Sequence, residues 1–298
     1  GGGGAVRIGL RAALEPSLLD RKQSREGIRQ AGLFIVLGLL SIAFLLPFLW
    51  MVSTSLKPIE ETMKMPPTFI PVPPRWANYA EAVSAIPFFR YAWNTVVVCV
   101  LGAAGTIISS GLVAYGFAYL RWPGRDLFFW LTVSTMMVPF PVLMVPLYGV
   151  FRSLGWIGTL FPLWAPAWFG SAWNIFLMRQ FFLGIPKDLL DAARIDGCSE
   201  WQIFWRIVLP LARPVLIVVG LFHVIYAWND FLGPLLYLTK QETYTLSLGL
   251  QFFQSQHGGT QWHLLMAAST LVVLPVLILF LFGQRALIRG ITMTGFKM

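Results

Sequence analysis

The sequence predicts an all-α polytopic membrane protein with six transmembrane helices and with both termini on the cytoplasmic side. Three observations lead to this fold class. Charged residues make up only 12% of the 298 residues, about half of the roughly 25% that is usual in a soluble domain. The mean hydropathy is +0.69. Six segments with at most one charge each reach the about 20 residues that a helix needs to span a bilayer.

The six predicted spans follow one another with short or polar connections. The fifth differs from the others because it contains an acidic residue, Asp230. The spans lie between Arg29 and Lys57, between Arg90 and Arg121, from Leu127 to Phe151, between Arg152 and Arg179, from Pro214 to Leu238, and from Leu264 to Gln284.

The distribution of basic residues predicts the orientation. With a cytoplasmic N-terminus, sixteen of the 22 Lys and Arg residues fall on the cytoplasmic side, as the enrichment of basic residues in cytoplasmic loops requires. The predicted division of the chain is a cytoplasmic tail 1–30, a first transmembrane helix 31–56, an external loop 57–90, a core 89–285 that holds spans two to six, and a cytoplasmic tail 286–298.

The cytoplasmic loop 186–210 has the features of two short helices separated by a glycine. Pro186 is a residue type favoured where helices begin, and Asp191 follows in the region where acidic side chains stabilise a helix. Gly197 interrupts the pattern, and Ser199 is a residue type that caps helix N-termini. We therefore expect a folded loop and not a passive connection.

The two predicted helices present different faces. In the second, the spacing of the apolar side chains suits burial against the membrane helices. In the first, small residues on the outer face suit insertion into a groove of another protein. The residues predicted to be buried are Ile203, Phe204 and Ile207, and those predicted to face a partner are Asp191, Ala192 and Ile195.

The same loop resembles the EAA loop of binding-protein-dependent ABC importer permeases. That pattern is Glu-Ala-Ala, three residues, Gly, nine residues, Ile, one residue, Leu-Pro. The chain departs from it once, with Asp in place of Glu at the first position. The matching residues are Asp191, Ala192, Ala193, Gly197, Ile207, Leu209 and Pro210.

Three further segments narrow the resemblance to MalG-like permeases of maltose-type sugar importers, with the type I importer fold. They are the exit of the fifth span at 228–235, the sixth span at 264–276, and Gly290-Ile291-Thr292 near the C-terminus. The similarity covers roughly residues 30 to 298.

The resemblance implies a set of partners. They are a second homologous permease subunit, two cytoplasmic ATPase subunits that grip the EAA helix, and an external sugar-binding protein. In this family, a loop before the last span reaches into the binding protein. The candidate residues here are Gln254, Ser255, Gln256, His257, Gly258 and Gly259.

The sequence predicts that this chain binds no ATP itself. It contains no Gly-Lys dipeptide and therefore no phosphate-binding loop of the Gly-x4-Gly-Lys-[Ser/Thr] type. We expect ATP and Mg²⁺ to bind to the partner ATPase subunits, and no cofactor or metal here. The two cysteines, Cys99 and Cys198, are predicted to lie in a span and in a polar loop, which favours neither a disulfide nor a metal site.

Polar residues within the fifth span are the candidates for the translocation path. His223, Tyr226 and Asp230 fall within about 60° of one another on a helix, and polar groups inside a membrane usually face a cavity or the bundle interior. Asn229, beside Asp230, belongs to the same predicted path. A second interpretation is that His223 and Asp230 only satisfy buried partners, or that Asp230 lies at the outer interface.

We therefore predict a non-enzymatic permease subunit of an importer for sugars in a bacterial or archaeal cell (inner) membrane, in contact with lipid and not with nucleic acid. Importers of glycerol phosphate share this architecture and are an alternative. A stand-alone secondary transporter would need ionisable relays within the spans, for which only His223 and Asp230 qualify. A membrane-embedded enzyme would need a cluster of His, Asp, Glu or Cys, which the sequence does not offer.

Overall fold

A computed structural model describes the backbone of residues 4–254 and 259–295, and the side chains of residues 29–254 and 259–284. Within those ranges the secondary structure is helical and contains no strand. The helices are α1 (Gly4–Ser55), α2 (Ile59–Thr62), α3 (Ala77–Ala85), α4 (Phe88–Tyr119), α5 (Arg125–Ser134), α6 (Phe140–Ser153), α7 (Phe161–Trp164), α8 (Ala172–Phe182), α9 (Lys187–Ile195), α10 (Glu200–Ile203), α11 (Leu209–Leu211), α12 (Arg213–Asn229), α13 (Leu232–Tyr237), α14 (Leu246–Gly249) and α15 (Trp262–Gly295).

Among the described residues, three helical segments are long and apolar enough to cross a membrane, namely Arg29–Ser55 in α1, Phe88–Tyr119 (α4) and Trp262–Gln284 in α15. Two bent pairs of helices raise that number to five if each pair is one span. The all-α membrane fold is therefore confirmed. The number of six spans and the cytoplasmic termini stay predictions.

The third predicted span is sharply bent. Its two parts, Arg125–Met137 and Phe140–Ser153, meet at 101°. Val138 is extended, with ψ 112°, and precedes Pro139. A residue before proline avoids the helical conformation because the proline ring collides with it. The bend thus follows directly from the Val-Pro pair.

The fourth predicted span is not one continuous helix. It consists of α7, a 3₁₀ segment Ala165–Phe169 and α8. Pro162 and Pro166 lie in this region, and proline has no N–H with which to continue a helical hydrogen-bond ladder. The fifth predicted span is also interrupted, because α12 ends at Asn229 and α13 begins only at Leu232.

Helix α4 is the centre of the bundle. It packs against α12, α8 and the 3₁₀ segment between α7 and α8. Close packing is possible because Gly102 lies against the His223 ring and Gly105 against the Trp168 indole, where a Cβ would overlap the aromatic atoms. Small residues permit this kind of approach between membrane helices.

Two apolar clusters hold the ends of the bundle. The first cluster contains side chains from the C-terminal half of α4 and from each of the helices α8, α9, α10 and α12. Its most buried large side chains include Phe182, Leu190 and Phe204. The second joins the N-terminal half of α4 to α3, α14 and α15, with Tyr91 and Phe253 fully buried. The loop 186–210 is therefore built onto the first cluster and forms part of the folded bundle.

Helix α1 stands apart from both clusters. It contacts α15, yet none of its apolar window is buried, and Phe34 is 74% exposed. An apolar helix with this exposure suits a lipid environment.

Candidate coupling loop and translocation cavity

The first half of the loop is a two-and-a-half-turn helix, α9, with a well-defined end. Asp196 ends the helix, and Gly197 follows with φ +82°. The Cys198 N–H donates to the Ala193 carbonyl at 3.0 Å, and the Gly197 N–H donates to the Arg194 carbonyl at 3.1 Å. This pair of bonds is the Schellman motif, which needs a left-handed residue at the position of Gly197. The left-handed backbone at the end of α9 thus explains why the EAA pattern has a glycine at this position.

The second half of the loop begins with a capping box. The Ser199 Oγ accepts a hydrogen bond from the Gln202 N–H at 3.3 Å, and the Gln202 Oε1 accepts one from the Ser199 N–H at 2.9 Å. The predicted cap is present, together with its reciprocal partner. From Glu200 the chain continues through a π-helical turn, Phe204–Val208, into α11 and bends by 78° into α12.

Helix α9 has one buried and one exposed face. Leu190 and Ala193 are 1% and 6% exposed and pack into the first apolar cluster. On the opposite face Asp191 and Ala192 are exposed, and Ile195 is 87% exposed. The Ile195 side chain is therefore not covered by the rest of the described chain.

The buried residues of the second helix also lie where the sequence predicts. Ile203 and Phe204 are 0% and 2% exposed, and Ile207 is partly buried against the same cluster. Leu209 is half-buried and Pro210 exposed. Of the EAA residues, Asp191 and Ala192 therefore face outward on α9, whereas Ala193, Ile207 and Leu209 anchor the loop to the bundle.

Arg194 ties the two halves of the loop together. Its Nη1 lies 2.7 Å from the Asp191 Oδ1, and its Nε lies 2.8 Å from the Glu200 Oε1. Hydrogen bonds from Arg194 to the Glu200 carboxylate, and then to Asp191, raise the pKa of the Arg194 guanidinium. The other Glu200 oxygen accepts a hydrogen bond from the Tyr115 hydroxyl of α4. The sequence motif includes Asp191 but gave no indication of Arg194, Glu200 or Tyr115.

A cavity of about 540 Å³ lies between α4, α12 and the broken helices of the third and fourth predicted spans. It brings together three of the four predicted path residues, His223, Tyr226 and Asp230. Asn229 is not on its wall, and its amide donates to the Ile225 carbonyl at 2.7 Å. The other polar residues on the wall are Thr106, Ser171, Trp173, Asn174 and Tyr237, and the wall also includes Phe140, Phe151 and Phe222.

His223 is held in place from α4. Its Nδ1 lies 3.1 Å from the Thr106 Oγ1, and its Nε2 has no hydrogen-bond partner among the described residues. Since the hydroxyl hydrogen of a threonine rotates freely, it suits either tautomer of the imidazole. The ring is therefore held between Thr106 and Gly102, and its Nε2 is buried against the Gly102 backbone.

Asp230 lines the cavity and also forms hydrogen bonds that stabilise the surrounding backbone. Its Oδ1 accepts the Gly233 N–H at 3.0 Å, and its backbone carbonyl accepts the Ser247 hydroxyl at 2.5 Å. The carboxylate therefore stabilises the start of α13. This agrees with the second interpretation of the sequence, in which Asp230 satisfies a buried hydrogen-bond donor. Because the residue also lines the cavity, the two interpretations are compatible.

Two wall residues, Thr106 and Tyr237, are absent from the predicted path. Tyr237 is 3% exposed, and its hydroxyl has no partner among the described residues. It comes to the cavity because the chain breaks after Asn229 and restarts as α13. The sequence analysis treats the fifth span as one continuous helix and therefore does not predict that change of direction. Thr106 belongs to another predicted span, so periodicity along the fifth span says nothing about it.

The candidate binding-protein loop is described only at its edges. Gln254 lies on a second cavity of about 420 Å³ with Tyr244 and Phe252, and Gly259 has φ +91°. Ser255, Gln256, His257 and Gly258 lie outside the described residues.

Comparison with known proteins agrees with the motif. A family model described as a binding-protein-dependent transport system inner membrane component matches residues 106–293. The arabinooligosaccharides transport system permease protein AraQ of Bacillus subtilis is 32% identical over 281 residues, which cover 93% of this chain and 99% of that protein. The sn-glycerol-3-phosphate transport system permease protein UgpE of Yersinia enterocolitica is 35% identical over 264 residues, or 86% of this chain and 93% of that protein.

The fold agrees with a solved structure of the same kind. A chain in the crystal structure of a bacterial ABC transporter involved in the import of the acidic polysaccharide alginate superimposes with a TM-score of 0.77 at 24% identity, over 87% of this chain and 95% of that chain. The predicted importer-permease fold is thereby confirmed. The chain belongs to the family of binding-protein-dependent transport system inner membrane components.

Proposed function

We propose that this permease works with a second, homologous permease to import a neutral, hydroxyl-rich solute of the sugar class. An external binding protein delivers the solute, and two cytoplasmic ATPase subunits, which bind ATP and Mg²⁺, drive its passage. The chain is a multi-pass membrane protein of this importer family, and we place it in the cell (inner) membrane of a bacterium or archaeon. The division into a tail 1–30, a core 89–285 and a tail 286–298 belongs to the same proposal.

The observation that carries the coupling role is the two-faced helix α9. Leu190 and Ala193 fix it to the bundle, while Asp191, Ala192 and Ile195 face away from it. A short helix fixed on one side and open on the other suits a groove in another protein. We assign Gly197 to the end of this helix, and Ile207, Leu209 and Pro210 to the segment that joins it to α12.

The cavity supports a neutral substrate over an anionic one. Its wall, within the described residues, contains no Lys or Arg, but includes the Asp230 carboxylate. Aromatic rings and hydroxyl groups on the same wall, from Tyr226, Trp173 and Ser171, suit the faces and hydroxyls of a sugar. A phosphate recognised in this half of the path would need cationic donors.

Glycerol phosphate is the second candidate, favoured by the 35% identity with UgpE. Family membership weighs against the stand-alone secondary transporter, because this family is described as one component of a transport system. The two substrate classes differ in charge, so one transport assay separates them.

The test of substrate class is to co-purify the permease with its binding protein and identify the bound solute. The assembled importer is then reconstituted in liposomes, and ATP-dependent uptake of that solute, of an arabinooligosaccharide and of sn-glycerol 3-phosphate is measured. We expect uptake of a neutral sugar. ATP-dependent uptake of glycerol phosphate alone would contradict the proposal.

The test of the coupling role is the variant Asp191→Lys, with Glu60→Lys as control. Glu60 is exposed on α2, in the predicted external loop, so its variant makes the same charge change away from α9. We expect Asp191→Lys to lower ATP-coupled uptake at least tenfold and Glu60→Lys to retain it. Full uptake by the Asp191→Lys importer would disprove the coupling role.

A further inference from the structure

Tyr115 and Glu200 form a contact between the loop and the membrane bundle that the EAA pattern does not include. We infer that these two residues are positioning residues, which transmit the movement of α9 to α4 during transport. The inference rests on the proposed coupling role of α9. It adds a route by which that movement reaches the cavity.

The first step of the route is within the loop. Arg194 on α9 binds Asp191 on its own helix and Glu200 on α10. A guanidinium that binds two carboxylates through different nitrogens restricts its own orientation. A displacement of α9 therefore moves Glu200 with it.

The second step crosses from the loop to the bundle. The Tyr115 hydroxyl donates to the Glu200 Oε2. Tyr115 is 5% exposed, and its ring is held by Tyr119 and Phe204 at centroid distances of 5.4 and 5.3 Å. A buried, immobilised tyrosine passes a pull on its hydroxyl to its own helix and does not simply swing away.

Direct packing between α9 and the end of α4 is incomplete, which gives the polar contact its importance. A cavity of about 380 Å³ lies between part of α9 and the C-terminal end of α4. Leu190 and Asp191 line it from α9, and Tyr119 lines it from α4. Along this cavity a change of position in one wall is not passed to the other by packing. The polar contact therefore adds to the apolar contacts that Leu190 and Ala193 make with the bundle.

The last step is along α4. Thr106, whose hydroxyl fixes His223 on the cavity wall, lies nine residues before Tyr115, or about 14 Å along a helix that rises 1.5 Å per residue. Both residues belong to one uninterrupted helix, Phe88–Tyr119. The two sites thus share a single rigid element, the kind of connection along which coupling travels.

The test compares Tyr115→Phe and Glu200→Gln with Tyr119→Phe in the assembled importer. Tyr119 is on the same helix, and its hydroxyl donates to the Phe182 carbonyl and not to the loop, so its variant loses a hydroxyl of the same kind outside the route. The readouts are the stimulation of ATPase activity by the co-purified binding protein and the solute imported per ATP hydrolysed.

We expect Tyr115→Phe and Glu200→Gln each to lower the stimulation at least threefold, with the ATPase subunits still co-purifying. The double variant should be no worse than the more affected single one, because both changes break one contact. Tyr119→Phe should stay within twofold of the unmodified importer. Equal losses for Tyr115→Phe and Tyr119→Phe would overturn the inference, since general weakening of α4 would then explain both.

Asp191→Lys in the same assay separates the two proposals. If Asp191→Lys uncouples the importer while Tyr115→Phe and Glu200→Gln behave as the unmodified protein, the positioning role is wrong and the coupling role stands. If Asp191→Lys also leaves coupling intact, the coupling role itself is wrong and the inference falls with it.

Discussion

His223 on α12 and Thr106 on α4 are joined by a hydrogen bond of 3.1 Å between Nδ1 and Oγ1. On the other side of the imidazole, the backbone of Gly102 lies so close that no side chain fits between them. These two contacts fix one of the predicted path residues from a neighbouring helix, and they lead to the first two predictions.

Replacing Gly102 with alanine should destabilise the protein. The new Cβ would overlap the His223 ring, and the ring cannot withdraw without losing Thr106. Overpacking of this kind costs about 1–3 kcal/mol. The measurement is the Tm of the purified importer in nanodiscs.

Gly116→Ala is the matched control for Gly102→Ala. Gly116 is on the same helix, and a Cβ there meets no atom within 4 Å. Both variants share the intrinsic effect of Gly→Ala on a helix, so the difference isolates the contact with His223. Equal Tm values for the two variants would show that the imidazole moves freely.

Thr106→Val should weaken the same contact without changing shape. Valine replaces the hydroxyl with a methyl group, so the His223 Nδ1 loses its partner. We expect a loss of about 1–3 kcal/mol, because a buried polar atom is left unsatisfied. A decrease in Tm relative to Thr106→Ser, which keeps the hydroxyl, is the expected outcome. A Thr106→Val variant with the Tm of the unmodified protein would show that the hydroxyl bond to His223 does not stabilise the fold.

Gly197→Ala should damage the end of α9 through the backbone alone. The residue has φ +82°, and a Cβ there meets nothing within 4 Å. A left-handed conformation costs a residue with a Cβ about 1–2 kcal/mol, so the end of α9 should fray and ATP-coupled uptake should fall. Gly197→Asn is the control, since asparagine tolerates this conformation better. Gly197→Asn should retain more uptake than Gly197→Ala, and equal uptake by the two variants would show that the left-handed backbone at Gly197 is not what uptake depends on.

Ser199→Ala should destabilise the second half of the loop. It removes the acceptor for the Gln202 N–H, and loss of such a cap costs about 1 kcal/mol. Ser199→Asp preserves an acceptor at the same position and should restore the Tm. If the aspartate variant is as unstable as the alanine variant, the hydroxyl has a role other than capping.

The loop could be predicted well because its signals are local. Ser199 caps the helix that follows it, Gly197 ends the helix before it, and the apolar spacing that indicates burial of Ile203 and Phe204 lies within one turn. Each of these depends on neighbours a few residues away. Family motif and local physical chemistry agree at the same positions.

The cavity and the spans were harder to predict because they depend on where helices break. The bend before Pro139 and the interruption after Asn229 both change the direction of the chain. Tyr237 reaches the cavity only because of the interruption after Asn229. The contact between Tyr115 and Glu200 joins residues 85 positions apart. Hydropathy identifies apolar segments but contains no information about such pairings.

Photocrosslinking on the assembled importer tests whether α9 contacts an ATPase subunit. A photoreactive amino acid is placed at Ile195, which is 87% exposed on the outer face of α9, and the irradiated complex is separated by mass. The principal product should join this chain to an ATPase subunit. Crosslinks from Ile195 only to lipid or to the second permease would contradict it.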